Sequence, residues 1–121
     1  MKGIIMRSKK RSAVSVAGKK CAPCEGGTAP LTPGEIAKLL KLVPEWRVDT
    51  DVLTRDFEFL NFHQTMSFVN AVAWLANLEN HHPDMRVGYS RVRVDFSTHA
   101  INGLSSNDFI CAAKIDAMLA L

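Results

Sequence analysis

Three of the four histidines fall in two short polar clusters, Asn80-His81-His82-Pro83 and Ser97-Thr98-His99. Imidazole titrates near neutrality, so two such rings at one site can supply both an acid and a base. A shared metal ion is the first alternative, but neighbouring side chains in an extended segment point to opposite sides, which keeps His81 and His82 from easily holding one ion together. No HExxH pair, G-x-S-x-G elbow, P-loop or GxGxxG fingerprint accompanies them. Metal-free proton transfer is the chemistry that remains. The plainer alternative is structural: helix ends attract histidine for carbonyl capping and for the dipole, and His99 could bond the backbone of its own loop. Cys21-x-x-Cys24 has the spacing of half a zinc site or of a redox dithiol, so a small metal protein using Cys21, Cys24 and a histidine is a further alternative. With Cys111 as the third cysteine, the set cannot pair completely, which argues against a secreted disulfide scaffold and for a reducing, cytoplasmic compartment.

The elements that must carry these clusters follow from local signals. Thr32-Pro33-Gly34-Glu35 reads as a helix start, with Thr32 as N-cap, Pro33 at N1 and Glu35 closing a capping box; Ile36, Leu39 and Leu40 give the apolar face, and the helix ends near Pro44. Trp46-Arg47-Val48, a turn at Asp49-Thr50-Asp51 and Val52 to Phe59 read as a hairpin with Leu53, Arg55, Phe57 and Phe59 on one side. Asn61 opens a long helix with Phe62, Met66, Val69, Ala73 and Ala76 on one face and Val72 and Leu75 beside it, which must stop before Pro83. Met85, Val87 and Tyr89, a turn near Ser90, and Val92, Val94 and Phe96 alternating with Arg91, Arg93 and Asp95 predict a second hairpin. Ser105-Ser106-Asn107-Asp108 caps a last helix through Phe109, Ile110, Ala113, Ile115 and Leu119. The order α-β-β-α-β-β-α predicts an α+β fold, a four-stranded antiparallel sheet with three helices on one face. An outer strand with free backbone groups also predicts a homo-oligomer.

With 121 residues, the chain has room for one core. A mean hydropathy of +0.01 and the lack of an apolar run near ~18 residues exclude a membrane helix. The net charge of +3 is unevenly placed: residues 1–20 carry seven basic residues and no acid, leaving 8 basic against 12 acidic residues, or −4, in 21–121. Residues 1–29 are therefore expected to be a basic, disordered extension with a cysteine loop, and residues 30–121 the folded domain. Nucleic acid is not expected as its partner.

From Asn80 to Asp108 the chain reads N-H-H-P-D, then Tyr89, then S-T-H, then G-L-S-x-N-D. This set resembles the pterin-4a-carbinolamine dehydratases, over roughly residues 30–120 and including Pro44-Glu45-Trp46 and the strand of Leu53, Arg55, Phe57 and Phe59. The resemblance implies dehydration of a 4a-hydroxytetrahydropterin to quinonoid dihydropterin, with no cofactor. That reaction recycles the pterin of an aromatic amino acid hydroxylase, the pathway partner. It also implies His81, His82 and His99 as the active site, with Asp108 in support beside His99. His81 and His99 would be the acid/base pair in either assignment, and His82 would orient the pterin. Asn80, Ser97, Thr98 and Ala100 would line its edge. A homodimer or homotetramer is implied, and family members acting as dimerisation partners of transcription factors supply a second functional reading. Asn77 departs from the family pattern, which has glutamate there in many members; Glu79 is expected to face another way.

Overall fold

The computed structural model describes residues 16–23 and 28–121. The helices among them are α1 (Pro33–Leu40), α2 (Phe62–Glu79) and α3 (Ser106–Leu119), and the strands are β1 (Arg47–Asp49), β2 (Val52–Glu58), β3 (Asp84–Val87) and β4 (Arg91–Phe96). The predicted order holds, and the strands form one antiparallel sheet in the order β1-β2-β4-β3. Each hairpin pairs neighbours in sequence, while β2 and β4 form the central ladder from Leu53 opposite Phe96 to Glu58 opposite Arg91. The α2 helix is therefore the connection that crosses from one hairpin to the other.

Capping starts the helices as expected. Thr32 and Glu35 make the reciprocal box at α1, and Asn61 accepts from the Gln64 amide at α2. Ser105 and Asp108 make a second box at α3. Side-chain caps of this kind satisfy amides that have no partner in the first turn. The end of α2 is set earlier than Pro83 requires. Asn80 takes the left-handed conformation, at φ 50° and ψ 42°, its amide reaches Asn77 O, and the His81 amide reaches Ala76 O at 3.1 Å. This is a Schellman closure, so the His81 backbone is itself part of the helix cap.

Alternation along β2 and β4 delivers Leu53, Phe57, Val92, Val94 and Phe96 to the core, where they meet Phe68 and Val72 of α2 and Phe109, Cys111 and Ile115 of α3. Burying each large apolar side chain contributes about 1.5–3 kcal/mol. Trp46 packs edge-on against Phe57 at 5.9 Å and gives its indole N–H to Asp116. Arg55, the one charged residue on the apolar side of β2, lies over the Phe57 ring and pairs with Asp116 at 2.7 Å. The opposite side of the sheet is only partly open to water. Thr54 is fully buried and bonds Asp95 across the ladder, and Arg93 bonds Asp95 at 3.0 Å.

The buried face of α2 runs through Thr65, Phe68, Val72 and Ala76, so that Ala76 and the flanking Val72 are as expected while Thr65 and Phe68 take the places expected for Met66 and Val69. Thr65 replaces Met66 because its hydroxyl donates within the fold, lying 2.8 Å from Tyr89 O in the second hairpin turn. Phe62 is left half-exposed and stacked on exposed Tyr89. At the other end of the sheet, Thr98 and Gly103 bridge to close the loop after β4. A Cβ on Gly103 would sit 2.8 Å from Pro30, so this close approach requires glycine. Residues 1–15, the bulk of the expected free extension, and Cys24 lie outside the described residues. Residues 16–23 lie against the domain, with Val16 buried in the core and Lys114 donating to Ala17 O.

Candidate active site

The Schellman turn after α2 presents His81 and His82, and the chain leaving β4 presents Ser97, Thr98 and His99. In the central ladder β4 ends on the side where α2 ends, so the two clusters meet. Asn80, His81, His82, Ser97, Thr98, His99 and Ala100 all border one cleft of about 480 Å³. Every residue expected at a binding edge is therefore brought there.

Asp108 organises the inner wall. Its carboxylate is fully buried, and such a charge is tolerated only when its oxygens are hydrogen-bonded. One oxygen lies 2.6 Å from His81 Nε2; the other accepts from the Thr98 hydroxyl at 2.8 Å and from the Ser105 amide at 2.9 Å. The Ser105 hydroxyl in turn lies 2.7 Å from Thr98 Oγ1. One aspartate thus ties the end of α2, the exit of β4 and the cap of α3. This corrects the expected pairing: Asp108 partners His81, whereas His99 lies exposed on a 3₁₀ turn, His99–Ile101. The capping box aims Asp108 back at the helix entrance, and the ring within reach there is the one fixed by the α2 cap.

With Nε2 engaged by Asp108, Nδ1 is the other protonation site of His81. The ring stacks on Phe96 at 5.9 Å with its plane 8° away. Burial lowers the proton affinity of His81, but the hydrogen bond and charge of Asp108 outweigh it, and the pKa lies above the ordinary imidazole value. His82 is exposed, and its Nε2 lies 2.9 Å from Asn77 Oδ1. The residue that departs from the family pattern therefore holds a histidine.

Sequence reasoning missed Glu79, Asn107 and the segment Cys21 to Pro23, which also border the cleft. Glu79 turns inward. Its side chain is 5% exposed, accepts from the Cys21 amide at 2.9 Å and pairs with Lys20 at 3.1 Å. Lys114 lies 3.8 Å away. The Cys21 amide, with these cations, holds the Glu79 pKa below its ordinary value. A signal was present: an acid in the last turn of a helix opposes the helix dipole and needs a cation or donor from elsewhere. Cys21 and Cys111 sulfurs stand 3.6 Å apart. Either thiol can donate in this contact, and the contact together with burial raises the Cys111 pKa. Among the described residues, no group of three or more histidine, cysteine, aspartate or glutamate side chains is arranged to hold a metal ion.

Residues 29–118 match the family model described as pterin 4 alpha carbinolamine dehydratase. The chain belongs to the pterin-4a-carbinolamine dehydratase family. Relatives provisionally named pterin-4-alpha-carbinolamine dehydratase include one from Nitrosomonas eutropha, 54% identical over 86% of this chain and 93% of its own. Another, from Legionella pneumophila strain Corby, is 54% identical over 86% of this chain and 95% of its own. A solved structure described as a transcriptional coactivator/pterin dehydratase from Brucella melitensis superposes with a TM-score of 0.70 at 33% identity, over 74% of this chain and 97% of that one. A pterin dehydratase-like RuBisCO assembly factor of the alpha-carboxysome shares the dehydratase fold, with a TM-score of 0.51 at 24% identity over 60% of this chain and 84% of that one. The dehydratase fold among the described residues contains no helix long and apolar enough to cross a membrane.

Proposed function

We propose that the protein dehydrates 4a-hydroxytetrahydropterins to quinonoid dihydropterins, using histidines as acid and base. The observation that carries this reading is an Asp108-backed His81 sharing one cleft with His82 and His99 in a chain of this family. In the reaction the C4a–O bond breaks with its electrons going to oxygen, a proton converts that oxygen to water, and N5 loses its proton as the C4a–N5 double bond forms. Two proton transfers are needed, on two different atoms of the substrate.

The raised proton affinity of His81 suits it to hold a proton near neutrality and to hand it to the leaving oxygen. Exposed His99 is then the acceptor of the N5 proton. His82, steadied by Asn77, orients the ring system, with Asn80, Ser97, Thr98 and Ala100 along its edge. The product chemistry fits recycling of the pterin of an aromatic amino acid hydroxylase. A reducing cytoplasm fits Cys21 and Cys111, which stand as adjacent thiols. A homodimer or homotetramer through an outer strand fits the open edges of the sheet.

Stopped-flow absorbance following decay of 4a-hydroxytetrahydrobiopterin tests the reading. The wild-type protein is expected to accelerate decay, and His81→Ala and His99→Ala each to lose about 10²–10⁴-fold while remaining folded. Wild-type decay at the uncatalysed rate overturns it. The coactivator wording attached to the Brucella melitensis structure favours a second reading, a protein-binding regulator on the same fold. That reading has no use for turnover, so the same experiment separates the two.

A further inference from the structure

We propose that Cys21, Ala22 and Pro23 form the apolar wall of the substrate site, held in place by Glu79 and Asn107. The inference rests on the pterin reading above and adds residues outside the stretch that the family model matches, 29–118. All three residues border the cleft that His81, His82 and His99 share.

The segment is fastened through three of its backbone groups. The Cys21 amide donates to Glu79. The Ala22 amide donates to Asn107 Oδ1 at 3.0 Å, and the Ala22 carbonyl accepts from Asn107 Nδ2 at 2.6 Å. One side-chain amide thus imitates a strand partner, satisfying both groups of the residue. Pro23 has no amide to offer. The side chains of the three bordering residues are a thiol, in contact with Asn107 O at 3.7 Å and Cys111 Sγ at 3.6 Å, a methyl group and a pyrrolidine ring.

The fasteners are neighbours of the proton-transfer groups. Glu79 stands two residues before His81, and Asn107 stands immediately before Asp108. The segment is thereby fastened beside the two ends of the His81–Asp108 pair. Glu79 is largely buried and Asn107 is 7% exposed, so both are positioned by packing as well as by their bonds. Upstream, Val16 reaches the core and Lys114 holds Ala17 O.

The chemistry of the ligand class explains the wall. A pterin has a polar rim and two broad, weakly polar faces. The histidines, Ser97 and Thr98 supply polar groups, and an apolar face on the cleft covers ring surface and excludes water from the developing charge.

The test uses full-length protein carrying Cys24→Ser and kept reduced, so that partly exposed Cys21 is the accessible thiol and Cys111 is shielded by burial. Alkylation of Cys21 by iodoacetamide, read by mass spectrometry, is expected to slow about tenfold under saturating 7,8-dihydrobiopterin, because a ligand on the wall blocks access. Ala22→Leu, on an exposed residue whose backbone bonds are retained, is expected to raise KM about tenfold with kcat within about twofold, the pattern of lost ground-state binding. Deleting residues 1–15 is expected to change neither constant. An unprotected Cys21 in protein that demonstrably binds dihydrobiopterin, or an unchanged KM in Ala22→Leu, overturns the wall while leaving the dehydratase reading intact. Absence of both pterin binding and turnover overturns the two together.

Discussion

The two sides of the cleft are built on opposite physical terms. On the inner side, His81, Thr98, Ser105 and Asp108 form a closed network in which the carboxylate is fully buried and each of its oxygens is occupied. On the outer side, His82 and His99 are exposed, and His82 has an amide rather than a carboxylate beside it. Three identical side chains thus sit in different surroundings, one buried against a carboxylate and two open to solvent. The buried ring is held by Asp108 with its protonated form stabilised, while of the two exposed rings His82 bonds Asn77 and His99 lies on the 3₁₀ turn. A reaction that needs an acid and a base at one pH is served by this asymmetry.

The comparison is most severely tested at Asp108. Asp108→Ala leaves His81, Thr98 and the Ser105 amide without their buried partner, and is expected to cost about 3 kcal/mol of stability in denaturant titration. Asp108→Asn keeps the shape and removes the charge, and is expected to reduce turnover by about 10²-fold or more in the stopped-flow assay. Equal losses from His82→Ala would show that the buried side has no special role.

Next in size is the geometry that presents the buried ring. Asn80 holds a positive φ of 50° in the turn that also fixes the His81 amide. Asn80→Ala is expected to lower stability by about 1 kcal/mol, whereas Asn80→Gly is expected to stay within a few tenths, as seen by thermal melting.

The pH dependence sharpens the same contrast. Because the His81 pKa is raised on folding, the imidazolium–Asp108 pair contributes its full stability below the ordinary imidazole value of about 6.5 and loses that contribution as pH rises through the folded-state value. Melting temperature is expected to decline across that window in the wild type and to flatten in Asp108→Asn. If His81 is the acid, kcat falls over the same range.

The smallest effect is expected on the exposed side. Asn77→Ala removes one solvent-accessible bond to His82, and is expected to change KM by about threefold or less with no measurable shift in melting temperature. A loss comparable to that of Asp108→Asn would erase the distinction between the sides.

Much of the framework was legible because its signals are local. Thr32 with Glu35 and Ser105 with Asp108 act across three residues, and the alternation of Val92, Val94 and Phe96 follows from strand geometry. The face of α2 was less legible, because Thr65 is buried by a bond to Tyr89 O that no helical period reports. The family resemblance gathered the three histidines, but their partners were misassigned or unseen. Asp108 was placed beside His99, and Glu79, which does face another way from Asn77, was given no part in the cleft that it borders.

By itself the sequence determined the elements, their order and the polar clusters at their ends, since caps, turns and periodicity are decided within a few residues. Only the tertiary structure decided that Asp108 meets His81 across 27 positions, that Glu79 holds Cys21 across 58, and that Asn107 clasps Ala22 across 85. Those pairings depend on which element ends the packed sheet and helices bring within about 3 Å of one another. Distance along the chain carries no record of that.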